Sequence, residues 1–266
     1  MRIGFIGAGR MGTPMVRRLV AAGHDVHVLG RSSEARRAIK ELGAQPVSFA
    51  AAVGTDAAVV VICVFTDEQV REICLDSPLL TTMPPGSTLV IHTTGSPETA
   101  EAVAAQAVSH DITVLDAPVS GGPHDIEAGR ITLFVGGDED TVARIEPVLR
   151  GYGDPVLHVG PMGSGQRVKL VNNALFTAQI GLVAQAVRLA GQLGIDEATL
   201  LSALPHASSA GRAVTSVAAK GSVAAFSASV GEFLRKDVAV VRALAAELGA
   251  DMGALDNAIA ASTDDS

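Results

Sequence analysis

The sequence predicts an α/β fold, a doubly wound parallel sheet followed by a smaller all-helical domain, on three observations. From residue 1 to about residue 160, short β-branched runs alternate with helical patterns, as in successive strand–helix–strand units. Several of those runs are apolar at nearly every position, the pattern of strands covered by helices on both faces. From Gln166 onward the chain reads as helix with no further strand run.

The strands are read at Arg2–Ile6, Asp25–Leu29, Ala58–Val64, Ser87–His92, Thr113–Asp116, Ile131–Val135 and Val156–Val159. Turn-formers separate them, as at Pro84-Pro85-Gly86 and Gly136-Gly137-Asp138. A first helix opens at the Gly-rich turn after Ile6 and runs to about Ala22. Beyond Gly160-Pro161-Met162-Gly163, the stretch Val168 to Leu193 is rich in Ala, Leu and Val and closed by Gly194, which reads as one long helix. Shorter helices are expected over Glu197–Ala203, Val214–Lys220, Ser229–Leu248 and Met252–Ala260, with a frayed tail at Ser262–Ser266. The chain therefore divides into residues 1–162, a sheet domain, and residues 163–266, an all-helical domain.

With 266 residues, 48% hydrophobic and 18% charged, the chain can bury a sizeable core. The longest apolar run, Ala57 to Phe65, is too short to span a bilayer, and the strand-like opening Arg2–Ile6 leaves no room for a signal peptide. A cytoplasmic protein with no membrane partner is expected. The net charge of −8 argues against a nucleic-acid surface, because phosphate binding needs a basic footprint. Cys63 and Cys74 have neither metal-ligand nor thioredoxin spacing and read as small hydrophobes, and no metal site is expected. Only four of the twenty basic residues are lysine (Lys40, Lys169, Lys220, Lys236), so a lysine at a motif position stands out.

Gly7-Ala8-Gly9-Arg10-Met11-Gly12 follows the first strand and opens the first helix, the context that a dinucleotide fingerprint requires. Gly7 permits the tight turn, Gly9 lets backbone approach a pyrophosphate, and Gly12 lets helix and strand pack closely, while the helix N-terminus supplies amide donors. The first domain is thereby expected to be of the Rossmann type. The second strand ends at Leu29-Gly30-Arg31-Ser32, where an NAD-specific protein would often carry an acid for the ribose hydroxyls. Arg31 can pair instead with a 2′-phosphate, with Ser32 as a supporting donor, so NADP(H) is the expected cofactor and NAD(H) the alternative.

Asp116-Ala117-Pro118-Val119-Ser120-Gly121-Gly122 follows a strand at its C-terminal end, the edge where doubly wound sheets bind ligands. Ser120 offers a hydroxyl, and Gly121 and Gly122 offer backbone amides with no side chain in the way, which suits a carboxylate. Lys169 near the start of the long helix is followed four residues later by Asn173, on the same face. A lysine and the amides of Asn172 and Asn173 on an otherwise apolar helix are costly if buried without partners. A solvated face with a snorkelling lysine is the bland alternative.

Together these segments resemble the β-hydroxyacid dehydrogenase family. The likeness runs through the extended fingerprint Gly7 to Leu19, Thr93-Thr94-Gly95-Ser96-Pro97, Asp116 to Gly122, Gly163 to Asn173 and Lys236-Asp237, in that order. It implies that Gly7 to Gly12, Arg31, Ser32, Val64, Phe65, Thr94 and Lys236 serve the cofactor, with Lys236 closing over it. It further implies that Ser120, Gly121, Gly122 and Asn173 hold the substrate and that Lys169 is the acid/base. Neutral Lys169 would accept the hydroxyl proton as hydride leaves the carbinol carbon, and its ammonium would protonate the alkoxide in the reverse direction. A free lysine titrates near pH 10.4, so that role requires burial or a neighbouring positive charge such as Arg167 or Lys236. Related imine reductases carry a different residue at the lysine position, so Lys169 argues for alcohol–carbonyl chemistry on a small β-hydroxy acid and its semialdehyde.

The chain departs from the family pattern after Gly122, where Pro123-His124-Asp125-Ile126 replaces a second small turn and Asp125 stands where glycine is common. Asp125 is expected to point to solvent, and His124 to be a surface residue rather than a catalyst. Phe65 replaces a frequent proline. Family members usually continue beyond the position of Ala260, and a missing helix would expose apolar surface unless a partner covers it, so a homodimer through the helical domain is expected. Two other readings compete: a non-catalytic NADP-binding sensor, against which the Ser120, Lys169 and Asn173 set argues, and an imine or bulky-aldehyde reductase.

Overall fold

A computed structural model describes residues 1–262. They form two compact units, one from Met1 to Lys169 and a second that begins at Leu170. In the first unit the strands are β1 (Arg2–Ile6), β2 (Asp25–Leu29), β3 (Gln45–Val47), β4 (Val59–Ile62), β5 (Thr88–Ile91), β6 (Thr113–Asp116), β7 (Val119–Ser120), β8 (Ile131–Gly136) and β9 (Gly153–Gly160). They join one sheet in the order β3-β2-β1-β4-β5-β6-β8-β7, with β9 on β8. The first six are parallel, and β8 runs antiparallel to β6 and β7. Strand order 3-2-1-4-5-6 reverses direction between β1 and β4, which makes the crevice at their C-terminal ends the ligand-binding edge of such a sheet.

Two apolar layers hold the sheet, as continuous apolar strands require. Ile3, Phe5, Val28, Val61 and Leu115 pack with Met15, Leu19 and Ile145 on one face. Ile6, Val60, Ile62, Leu89 and Ile91 pack with Val70, Ile73 and Val103 on the other. Just beyond β5, His92 is buried against the first layer, its Nδ1 2.5 Å from the Ala117 carbonyl and its Nε2 2.7 Å from the Tyr152 hydroxyl. The carbonyl can only accept, so Nδ1 carries the proton and the tyrosine donates to Nε2. Burial pushes the His92 pKa down to about 4, so the ring is neutral at physiological pH. Burial likewise pushes the Cys63 and Cys74 thiols up to about 12, which fits their reading as inert apolar groups.

The described residues of the second unit form helices at Glu197–Ala203, Arg212–Lys220, Val223–Glu247 and Ala254–Ala260, which join the remainder of the helix Ser164–Gln192. One core gathers Ile180, Val183, Leu201, Val217 and Phe226, and another gathers Ala174, Ala178, Val238 and Ile259. Phe176 meets Phe226 edge to face at 6.3 Å. The 164–192 helix is long and apolar enough, by length and composition, to cross a membrane, although the run Ala57 to Phe65 is not; half of its most apolar stretch is buried in the fold, as in the core helix of a globular protein. The expected frayed tail lies, apart from Ser262, outside the described residues.

Candidate functional site

The Gly-rich turn has the shape that a phosphate cradle needs. Gly7 has φ +103°, a conformation that L side chains rarely adopt, and a Cβ there would collide with the Cys63 carbonyl just beyond the adjacent strand β4. A Cβ on Gly12 would strike the Gly7 carbonyl, so that glycine lets the helix Gly12–Ala21 start against the turn. Above Gly9 the situation is opposite, with no protein atom within 4 Å of an added Cβ. That open space over backbone at a helix N-terminus fits a dinucleotide pyrophosphate. Thr13 braces the turn from inside, its N–H on the Gly9 carbonyl and its hydroxyl on the Ala8 carbonyl, both at 2.9 Å.

At the end of β2, Arg31 is exposed, whereas the Ser32 hydroxyl oxygen accepts the Ala35 N–H at 3.0 Å as the N-cap of the helix Ser33–Glu41. Ser32 is thus a structural cap whose hydroxyl proton stays available for donation. Arg31 lines a cleft with Leu29, Phe49, Glu72 and Asp76. A second cleft, around Pro84, Pro85 and Arg144, contains none of the predicted site residues.

Val64 and Phe65 leave β4 toward the helix Asp67–Cys74. The Val64 N–H donates to the Thr93 hydroxyl at 3.0 Å, and the Phe65 N–H donates to the Gln69 side chain at 2.8 Å. On the adjacent loop, Thr94 is followed by Gly95, whose N–H donates to Gln166 Oε1 at 3.0 Å, while Gln166 Nε2 donates to the Thr93 carbonyl at 2.8 Å. Ser96 N–H donates to the Asp67 carboxylate at 2.9 Å. Val64, Phe65 and Thr94, expected to serve the cofactor, therefore stand on loops fastened by Thr93, Asp67 and Gln166.

The placement of Lys169 depends on Asp116 as well as Gln166. Asp116, at the end of β6 and fully buried, accepts the Gly163 N–H on Oδ1 and the Gln166 N–H on Oδ2, both at 2.7 Å. These are among the orphan donors that every helix start must satisfy, and here a carboxylate from the sheet satisfies them. Gly165 allows the close approach, since a Cβ there would meet the Phe134 and Asp116 carbonyls. Burial of Asp116 outweighs its amide bonds and raises its pKa to about 6. Lys169, one turn beyond Gln166, is only 8% exposed, which excludes a snorkelling lysine in solvent.

Ser120 is half-buried on the short strand β7, opposite Thr132 of β8, rather than on a free loop. The following turn corrects one expectation. Asp125 does not point to solvent: its side chain is 17% exposed and Oδ2 accepts the Gly122 N–H at 2.8 Å. The Gly122 amide, expected to be open for a carboxylate, already has one. His124 is at the surface, as expected, with its side chain 79% exposed.

In the second unit Asn173 is 7% exposed and its Nδ2 donates to Asp237 Oδ2. Asp237 is itself 6% exposed, with Lys236 Nζ 2.8 Å from Oδ1. Lys236 thus stands in an ion pair with its neighbour. No group of His, Cys, Asp or Glu among the described residues could hold a metal ion.

Sequence reasoning missed Gln166, Asp67 and Thr93, and did not give Asp116 its role. A signal existed for Gln166 and Asp116, because a buried glutamine or aspartate in an apolar strand–helix junction must have partners.

Two family models match the chain. Residues 2–160 match the NAD binding domain of 6-phosphogluconate dehydrogenase, and residues 163–262 match the NAD-binding region of NADP-dependent 3-hydroxyisobutyrate dehydrogenase. A 3-hydroxyisobutyrate dehydrogenase of Pseudomonas aeruginosa is 36% identical over 207 residues, covering 77% of this chain and 70% of that protein. The 3-hydroxyisobutyrate dehydrogenase of Mycobacterium tuberculosis, solved with L-serine, superposes with a TM-score of 0.86 at 30% identity, covering 98% of this chain and 92% of that one. Psf3, solved with NADP+ and 2-OPP, superposes with a TM-score of 0.81 at 26% identity over 97% and 92% of the two chains. An imine reductase from a Pseudomonas species shares the fold at 19% identity, with a TM-score of 0.69 over 97% and 91%. With the fingerprint turn, the buried lysine and both family models in agreement, this chain belongs to the β-hydroxyacid dehydrogenase family of NAD(P)-dependent oxidoreductases that act on CH–OH groups.

Proposed function

We propose that the chain is an NADP(H)-preferring enzyme that interconverts a small β-hydroxy acid and its semialdehyde, with Lys169 as the acid/base. The observation that carries this reading is a lysine 8% exposed, one helical turn beyond the glutamine that fastens the Thr93–Gly95 loop. Bound NADP(H) supplies or accepts the hydride. The turn from Gly7 to Gly12 would hold its pyrophosphate, and Arg31 would pair with the 2′-phosphate. On oxidation Lys169 Nζ takes the hydroxyl proton; on reduction it returns that proton to the alkoxide oxygen. Ser120 would orient the same oxygen from the end of β7. The relatives named for 3-hydroxyisobutyrate support the hydroxy-acid class.

The test is NADPH oxidation with a panel of succinic, methylmalonic and tartronic semialdehydes and glyoxylate, run on wild type and Lys169→Ala. A fall in kcat of at least 100-fold with unchanged NADPH affinity is expected for a lost general acid. Tight NADPH binding without turnover by either protein refutes the catalytic reading.

The same reading includes a homodimer. Val171, Leu175, Leu182 and Leu189 are exposed on the long helix at spacings of four and seven residues, which makes one apolar stripe. A second copy of the chain would cover it. A monomer by light scattering at micromolar concentration removes this part of the proposal.

A further inference from the structure

The turn Ser120-Gly121-Gly122 lacks side chains at two successive positions, and the space so opened is not empty. Asp125 Oδ2 lies 2.8 Å from the Gly122 nitrogen and 2.6 Å from the point where a Cβ on Gly121 would stand. The same oxygen therefore fills the space over Gly121 and takes the N–H of Gly122. Gly121 has φ +138°, so glycine is required there by the backbone as well as by the neighbouring carboxylate. On the other side, a Cβ on Gly122 would be 3.1 Å from the His124 ring, whose Nε2 is 3.4 Å from Asp125 Oδ1.

A glycine pair with an exposed N–H is a ready acceptor of an anion. Here the chain carries its own anion at that N–H. A carboxylate arriving with a substrate would have to displace Asp125, and it would then lie beside a second negative charge in a partly desolvated place, where like charges repel strongly. An uncharged substrate end meets neither cost.

We propose that Asp125 is a specificity-determining residue, an internal carboxylate that holds the Gly122 amide and so disfavours substrates bearing a carboxylate at this turn relative to uncharged analogues. The proposal rests on the reading that carbonyl substrates approach Ser120 and Gly122. It deepens that reading: a semialdehyde remains the substrate, and Asp125 lowers its turnover relative to what the same turn would give without the internal carboxylate.

The experiment compares wild type, Asp125→Asn and Asp125→Gly with two probes, succinic semialdehyde and butanal, each with NADPH. The ratio of kcat/KM for succinic semialdehyde to that for butanal should rise at least tenfold in Asp125→Gly. Asp125→Asn retains an oxygen for the Gly122 N–H and keeps the turn folded, and there the ratio should rise by a smaller factor. A separate measurement, calorimetric binding of butyrate to the NADP+ complex, should show at least tenfold tighter binding in Asp125→Gly without reference to turnover. A purely structural role for Asp125 would lower thermal stability and reduce both activities alike, leaving the ratio and butyrate affinity unchanged; that outcome overturns the proposal. Absence of turnover on either probe by wild type and both variants, with NADPH still bound, refutes the catalytic reading itself and the proposal with it.

Discussion

Replacing Asp116 by Asn separates two contributions that one buried carboxylate makes. Each of its oxygens accepts one backbone N–H at 2.7 Å from the start of the long helix. Asparagine keeps one acceptor and turns its NH2 group toward the second amide, so a charge-assisted bond is replaced by two facing donors. That costs about 2–3 kcal/mol at pH 8, where the wild-type carboxylate is ionised. A pH-dependent part adds to it. Burial raises the Asp116 pKa from 3.8 to about 6, so the folded chain holds this proton over a range in which the unfolded chain has released it. The corresponding stability is fully present below the unfolded value and is lost as pH rises through the folded one. Between pH 8 and pH 5 the linkage amounts to about 1.4 kcal/mol in favour of the acid side, and asparagine has none of it. Urea unfolding of both proteins at pH 5 and pH 8 should therefore show a variant deficit larger at pH 5 by about that amount. An equal deficit at the two pH values, or a larger one at pH 8, would refute the assignment of a raised pKa to Asp116.

Other expectations follow from the same geometry. Gly9→Ala should unfold like wild type, because nothing lies near its new methyl, yet bind NADPH at least tenfold more weakly by calorimetry; Gly12→Ala should instead lower the melting temperature, because its Cβ strikes backbone. Arg31→Leu should reduce the ratio of NADH to NADPH dissociation constants at least tenfold, and an unchanged ratio would remove Arg31 as the phosphate partner. His92 is held neutral with its pKa pushed down to about 4, so its stabilisation is present above pH 6.5 and lost as pH falls; about 2 kcal/mol should disappear between pH 8 and pH 5, and His92→Gln should lack this loss in chemical unfolding. Gln166→Leu strands the Gly95 N–H and Thr93 carbonyl and should destabilise the first unit by about 2–4 kcal/mol, read from its urea midpoint.

Much of the sheet was legible because buried parallel strands announce themselves as apolar runs, and β1, β2 and β6 have the expected ends. The strands that were missed lack that signal. Gln45–Val47 is an edge strand with a proline in its middle, and Val119–Ser120 is two residues long, so neither shows a periodic pattern. The long helix begins at Ser164 rather than Val168, because its first amides are capped by a residue far back in the chain, and local capping rules read only neighbours. Conversely, the helix Val223–Glu247 starts six residues ahead of the expected Ser229, at a local cap that was readable: Ser222 accepts the Ala225 N–H. The fingerprint turn was visible in full, since its chemistry is local backbone. Asp125 was misread for the opposite reason, because a polar residue in a loop gives no sequence sign of whether it faces solvent or its own backbone.

The ties from Asp116 and Gln166 to the start of the long helix have a consequence for building chimeras. Lys169 receives its position from β6 and the Thr93–Gly95 loop, all upstream of Leu170, where the second unit begins. A crossover at that point between two members of the family would leave the lysine, its fastenings and the fingerprint turn from one parent intact. The helical unit could then be exchanged as a block, and changes in substrate range among such hybrids could be assigned to the downstream parent while the lysine proposed as the acid/base stays constant.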